Sequence, residues 1–384
     1  MRLLIDVSAV PARPAGAGVY VVNLVRALAA LDAVRSGDVD LHLLTRRDDH
    51  DRWAALAQDA AVHAAVPPVR PARLVWEQTR AGALARRLGV DVWHGPHYTL
   101  PLRLPCSSVV TVHDLTFFDH PEWHERSKVA FFRPMTRSAV KRADAVVAVS
   151  AVTATRLGEV LAPDAQVITI PHGVDHDHFR PGPPGDAADL DALAGLGLRP
   201  PYVAFVGTME PRKAVPTLVA AFTKLAAAPP DLRLALAGRD GWGTEAVRAA
   251  VAESGVATRI LRLRWVPDEA LPPLLRQAEA VAYPSYEEGF GLPALEALAC
   301  GAVLATSEGS PMAGFAGDAA LTVAPGDPGA LAGVLERILG DADLAARLRR
   351  AGPAAAAPFT WEASARRHLW AYRLAADDRS TLVP

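Results

Sequence analysis

Short apolar runs recur along the chain at Leu3–Val7, Leu41–Thr45, Val90–His94, Val109–His113 and Ala145–Ser150. Runs of this kind predict strands buried on both faces, because such strands lack the in–out alternation of a half-exposed sheet. Tyr20–Leu31 reads as a helix between the first two. The pattern stops at Arg180–Pro201, which is rich in Pro, Gly and Asp and reads as a linker. It resumes at Tyr202–Val206 and continues through Leu232–Ala237, Ile260–Leu263, Ala280–Tyr283, Val303–Ala305 and Ala320–Val323. In the last stretch, Trp361–Leu374, residues Ala365, Leu369 and Tyr372 fall at helical spacing, which predicts an amphipathic helix. Alternation of strand and helix predicts doubly wound parallel sheets, whose ligands bind beyond the carboxyl ends of the strands. The expected organisation is an α/β chain of two Rossmann-like domains, 1–180 and 201–358, joined by a linker over 181–200 and followed by a helix and tail over 359–384.

Composition narrows this picture only slightly. A chain of 384 residues is too long for one ordinary core and suits two α/β domains. Hydrophobic residues at 51% and charged residues at 21% mark a globular protein, and a formal charge of −2 gives no reason to expect a nucleic-acid partner. The two cysteines, Cys106 and Cys300, stand far apart in no metal-ligand spacing, so a reducing, cytoplasmic setting is expected. Met1–Asp6 reads as a strand and not as a signal peptide, and no apolar run is long enough to span a bilayer. A soluble protein, or one lying at most on the membrane surface, is the expectation.

The most informative chemistry is the run from Glu288 to Glu296, E-G-F-G-L-P-A-L-E. It follows the strand at Ala280–Tyr283. Gly289 and Gly291 permit a sharp turn, and the composition after Leu292 is that of a helix. A strand, a glycine turn (Gly289-Phe290-Gly291-Leu292) and a helix N-terminus favour an anion. Two carboxylates would repel a phosphate but accept hydrogen bonds from sugar hydroxyls, so the combination points to a nucleotide-sugar. Gly207-Thr208-Met209-Glu210-Pro211-Arg212-Lys213 follows the first strand of the second half, where Lys213 and Arg212 suit a diphosphate better than a solvated surface pair.

In the first half, Gly16-Ala17-Gly18 stands where a dinucleotide fingerprint would, but Val21 occupies the third glycine position and Pro11 and Pro14 lengthen the loop. The loop is either a surface turn or a flexible segment that approaches a phosphate or sugar. His113 closes a strand and points toward the ligand side of the sheet, although a structural role is open to it as well. His94 and His97 sit nearby with no companion ligands in zinc spacing, so no metal is expected. Lys128, Arg133, Arg137, Lys141 and Arg142 form a basic stretch that reads as a solvated face, or as a contact with an anionic surface.

With these residues placed, the chain resembles the retaining glycosyltransferase family 4, of the GT-B fold, in which two Rossmann-like domains face a central cleft. The resemblance covers nearly the whole length. It runs through I-D-V with the Gly16/Gly18 loop, H-G-P-H-Y at His94–Tyr98 and V-T-V-H-D-L at Val110–Leu115. It continues in I-P-H-G-V-D at Ile170–Asp175, V-G-T-M-E-P-R-K ending at Lys213, and the E-x7-E element. The subgroup it most resembles contains mannosyltransferase-like enzymes, commonly with GDP-mannose as donor.

The resemblance implies that Glu288 binds donor hexose hydroxyls, Glu296 the ribose hydroxyls and Lys213 the diphosphate, with backbone amides of Gly289, Phe290, Gly291 and Leu292 helping. It implies that His113 faces the reacting sugar, that Gly16 and Gly18 close over the diphosphate, and that the last helix returns to the first domain. No Asp-x-Asp stands where it would hold a metal, so the expected reaction needs neither metal nor cofactor. The acceptor would be a glycan, lipid-linked or small-molecule hydroxyl. The chain departs from the family pattern at Thr208, where many relatives have an arginine, at Gly314, where an acid is usual, and at the additional acid Glu287. Alternatives are a catalytically idle nucleotide-binding partner of another glycosyltransferase, and another GT-B activity such as epimerisation. Val21 counts against an NAD oxidoreductase.

Overall fold

The computed structural model describes residues 1–225 and 229–376. Among the described residues two compact units are formed: Met1–Gly173 with Thr360–Ala376, and Val174–Phe359.

The first unit holds a seven-stranded parallel sheet of β1 (Arg2–Asp6), β2 (Asp40–Arg46), β3 (Ala61–Val66), β4 (Val92–Gly95), β5 (Ser107–Val112), β6 (Ala145–Ala148) and β7 (Gln166–Thr169), in the order 3-2-1-4-5-6-7. The order reverses between β1 and β4, where Ile5 pairs with His94. One core packs Leu3, Ile5, Val109 and Val147 against the helices Ala17–Ala29 and Trp361–Ala375; the other face buries Leu4, Trp93, Val110 and Val146.

The second unit holds a six-stranded parallel sheet: β8 (Tyr202–Val206), β9 (Arg233–Ala237), β10 (Ile260–Leu263), β11 (Ala280–Tyr283), β12 (Leu304–Ser307) and β13 (Ala320–Val323), in the order 10-9-8-11-12-13. Here the order reverses between β8 and β11. The buried runs seen in the sequence are these strands, to within a residue or two at their ends.

Two strands escaped the sequence pattern. β3 and β7 are the outer strands of the first sheet, and their residues are mostly half-exposed, so neither needs a fully apolar run. The expected linker over 181–200 is corrected. It contains the helix Ala187–Gly195, capped by Asp186 and fastened by Asp189, whose carboxylate accepts from Arg276 and Gln277 at 2.8 Å each. A segment rich in Pro and Gly is thereby built into the second unit through one buried acid. Among the described residues, no helix is long and apolar enough to cross a membrane.

Candidate functional site

In the second unit the residues flagged by the sequence converge at the carboxyl ends of β8 and β11, the two strands that flank the reversal of strand order. That is where an open α/β sheet leaves a crevice for ligands. Beyond β8 the chain makes a short turn, Pro211–Lys213, before the helix Val215–Lys224. Beyond β11 it passes through Ser285 and Glu288 into the helix Leu292–Ala299. The two loops are joined where the Tyr286 amide donates to the Arg212 carbonyl at 2.7 Å.

Glu288 is the centre of this cluster. Its Oε1 accepts from Lys213 Nζ at 2.6 Å and from Ser285 Oγ at 3.1 Å, and its Oε2 from Arg212 Nη1 at 2.5 Å. Arg212 also donates through Nε to Glu210 at 2.8 Å and to the Glu287 carbonyl at 3.2 Å. Burial alone would raise the Glu288 pKa, but the charges and hydrogen bonds of Arg212 and Lys213 outweigh it and hold the carboxyl at about 2. Lys213 is itself buried. Arg212 therefore stands at the site despite Thr208, and Glu210 and Ser285 support it. Nothing in the sequence pattern marks Glu210 or Ser285 for such a role, although each sits within three residues of Arg212 or Glu288.

The turn that follows depends on glycine at one point. Gly291 has φ of +94°, and a Cβ there would lie 2.3 Å from Met312 Cγ, so both the backbone angle and the packing exclude a side chain. The helix beginning at Leu292 brings its positive dipole end next to the cation–carboxylate cluster. Glu296 is not part of that cluster. It lies on the helix near Asp268 and Tyr283, and burial, aided by Asp268, pushes its carboxyl up to about 7. The two glutamates, similar in sequence, occupy opposite electrostatic settings.

In the first unit, His113 follows β5. Its Nε2 lies 2.8 Å from the Pro96 carbonyl, which only accepts, so Nε2 carries the proton and Nδ1 the lone pair. Burial lowers its pKa and keeps the ring neutral. Gly16 caps the Ala17–Ala29 helix with φ of +51°, an angle costly to any other residue. That helix carries Tyr20, whose ring meets the His113 ring edge-on at 5.2 Å. The basic stretch is largely consumed within the fold. Arg133 donates to the Phe117 and Phe118 carbonyls, Arg142 to Pro101 and Leu102, and Lys141 to Ala162. Among the described residues, no group of three or more His, Cys, Asp or Glu is placed to hold a metal ion.

Residues 14–178 match the model "Glycosyltransferase Family 4", and residues 192–355 match "Glycosyl transferases group 1". An O-antigen chain mannosyltransferase B of Escherichia coli is 31% identical over 79% of this chain and 79% of its own length. A D-inositol 3-phosphate glycosyltransferase of Segniliparus rotundus is 35% identical over 62% of this chain, which spans about half of that relative's length (53%). Sucrose-phosphate synthase from Thermosynechococcus elongatus has the same fold, with a TM-score of 0.78 over 97% of this chain and 98% of that one, at 24% identity. The two parallel-sheet Rossmann-like units have the GT-B fold. The chain belongs to glycosyltransferase family 4 and is a glycosyltransferase.

Proposed function

We propose that the protein is a retaining hexosyltransferase that moves mannose from GDP-mannose to a hydroxyl acceptor without a metal ion. The observation that carries this reading is the cluster of Glu288 with Lys213 and Arg212 where the strand order reverses. A leaving diphosphate gains negative charge as the glycosidic bond breaks, and fixed cations beside a helix N-terminus stabilise that charge without reorganising. Lys213 and Arg212 supply the counter-charge that a metal supplies in other transferases. Glu288 would then exchange partners: the diphosphate takes the two cations, and the carboxylate turns to the hexose hydroxyls. Glu296 is assigned to the ribose hydroxyls, the Gly289–Leu292 turn to the phosphates, and His113, through Nδ1, to the reacting sugar. Gly16 and Gly18 are assigned to the diphosphate. The relative named as a mannosyltransferase supports mannose as the donor sugar.

The test is turnover of nucleotide-sugars by the full chain, with and without EDTA, and the anomeric configuration of the product read by NMR. Lys213→Ala and Glu288→Ala should each lose at least about a hundredfold in rate. Unchanged rates in both variants, an inverted product or dependence on added metal would overturn the corresponding part of the reading.

A further inference from the structure

The first unit contains a cavity of about 310 Å³ that none of the residues assigned to the donor lines. It opens where β1 and β4 flank the reversal of strand order, the ligand position of this sheet. Its floor is formed by Asp6, at the end of β1, and by Glu77 of the helix Arg70–Leu88. Arg73 of the same helix lies beside both acids and donates to the Ser8 carbonyl at 3.1 Å. Arg70 and Lys128 bring two more positive charges to the lining, and Arg70 lies over the Phe132 ring at 5.9 Å. Among the lining residues bases thus outnumber acids, with Lys128 also paired to Glu125 at 2.9 Å beside the cavity, and the excess grows because burial pushes the Glu77 carboxyl up to about 7 and raises that of Asp6.

The remaining wall is aromatic. Tyr98 adopts φ of +63°, a costly angle for a non-glycine residue, and its ring stands 6.0 Å from that of Phe117 and 5.9 Å from that of Phe132. His97 lines the same wall with a buried Nε2 that has no hydrogen-bond partner among the described residues. His97 and Tyr98 also touch His113, at ring separations of 5.7 Å and 5.4 Å, so a ligand here would lie next to the residue assigned to the reacting sugar.

We propose that this cavity holds the acceptor and that the acceptor is a phosphorylated polyol, such as a sugar or cyclitol phosphate. Its hydroxyls meet Asp6, Glu77 and His97, its C–H face meets the aromatic wall, and its phosphate meets Arg70, Arg73 and Lys128. This rests on the glycosyltransferase reading, because it makes the occupant the nucleophile of that reaction.

The experiment measures binding to the full chain by calorimetry, with mannose 6-phosphate, mannose, inorganic phosphate and GDP as probes. Vesicles of phosphatidylcholine carrying either phosphatidylinositol or phosphatidylserine complete the set. Mannose 6-phosphate, or the inositol-lipid vesicle, should bind at least about tenfold more tightly than mannose or the serine-lipid vesicle respectively, as a charge-assisted contact requires. Inorganic phosphate should compete. Binding to the free sugar phosphate alone assigns a soluble acceptor, and binding to the inositol lipid alone a lipid-borne one. Arg70→Gln and Arg73→Gln should each lower the preferred probe's affinity about tenfold and leave GDP affinity unchanged. Arg70 is exposed, so its variant keeps the test valid should Arg73→Gln not fold.

Equal binding of phosphorylated and plain polyol, absence of binding by both phosphorylated probes, or unchanged affinity in the Arg70 variant overturns the inference. If GDP binds and these probes fail, only this inference falls. If GDP itself does not bind, the donor-site reading falls instead.

Discussion

Glu288 is held between two cations that the proposed reaction assigns to the diphosphate, and this sets a direct expectation for its replacement. Glu288→Gln keeps the shape but removes the negative charge that Lys213 and Arg212 now neutralise. The variant leaves those cations underpaired in the free protein, so an anionic ligand gains what the free protein has lost. GDP should bind several-fold more tightly to Glu288→Gln than to the wild type, with a larger thermal shift, while hexosyl turnover falls by about a hundredfold or more. Weaker GDP binding would show that the carboxylate does not compete with the diphosphate.

Glu296 gives a pH-dependent expectation of opposite sign to that of Glu288. Its folded pKa of about 7 lies above the ordinary value of 4.5, so the folded chain binds more protons than the unfolded chain between those values. Its contribution to stability is therefore fully present below pH 4.5, falls as pH rises through 7, and levels above. The loss is on the order of 3 kcal/mol for a shift of this size. Denaturant unfolding between pH 5 and 8 should show a shallower decline in Glu296→Gln than in the wild type; parallel curves would place the titration elsewhere.

Among the elements, the Trp361–Ala375 helix is tied into the first unit by a directed chain of hydrogen bonds. His368 Nδ1 donates to the Ser364 carbonyl at 2.8 Å, so its Nε2 must accept, and Tyr20 donates to it at 2.9 Å. Tyr20 in turn accepts from Thr111 at 3.0 Å, Thr111 accepts from His94 Nε2 at 2.8 Å, and His94 Nδ1 accepts from Tyr372 at 2.9 Å. Burial lowers the pKa of both histidines and keeps the rings neutral, as the chain requires. Tyr372→Phe leaves a buried His94 Nδ1 without its donor, at a cost of about 1–3 kcal/mol. The thermal midpoint should drop by several degrees, and a drop within error would mean that water or a reoriented ring replaces the hydroxyl.

The elements also show where sequence reading reached and where it stopped. Tyr202–Val206 and Ala280–Tyr283 are legible to the residue because each is enclosed and needs an apolar run, whereas the outer strands Ile260–Leu263 and Ala320–Val323, only partly buried, are legible because three of the four residues in each are still apolar. β3 and β7 are not, since an outer strand can carry His63 or Gln166 at no great cost. The helix Ala187–Gly195 hid in a Pro- and Gly-rich stretch because its anchor, Asp189, finds its partner Arg276 only in three dimensions.

For the molecule as a whole, the two sheets each reverse strand order once, and the flagged charges of the second sheet sit at its reversal. Hydrogen exchange should follow that placement. GDP added to the full chain is expected to slow amide exchange in residues 207–213 and 285–296, and to leave β2 and β3 unaffected. Protection absent from 207–213 and 285–296 would overturn the assignment of the second unit to the donor.

The sequence by itself determined the α/β class, the buried strands, the glycine turn before Leu292 and the presence of Glu288, Lys213, Arg212 and His113. These are local matters of apolar runs, turn geometry and residue type, which a linear pattern records. Tertiary structure alone decided that Glu288 bonds both cations while Glu296 stands apart with a raised pKa, because desolvation and pairing depend on neighbours distant in sequence. It decided likewise that Asp6, Arg73, Glu77 and Tyr98 share one cavity. They come from two strand ends and a helix, and only the parallel register of β1 with β4 brings those elements side by side.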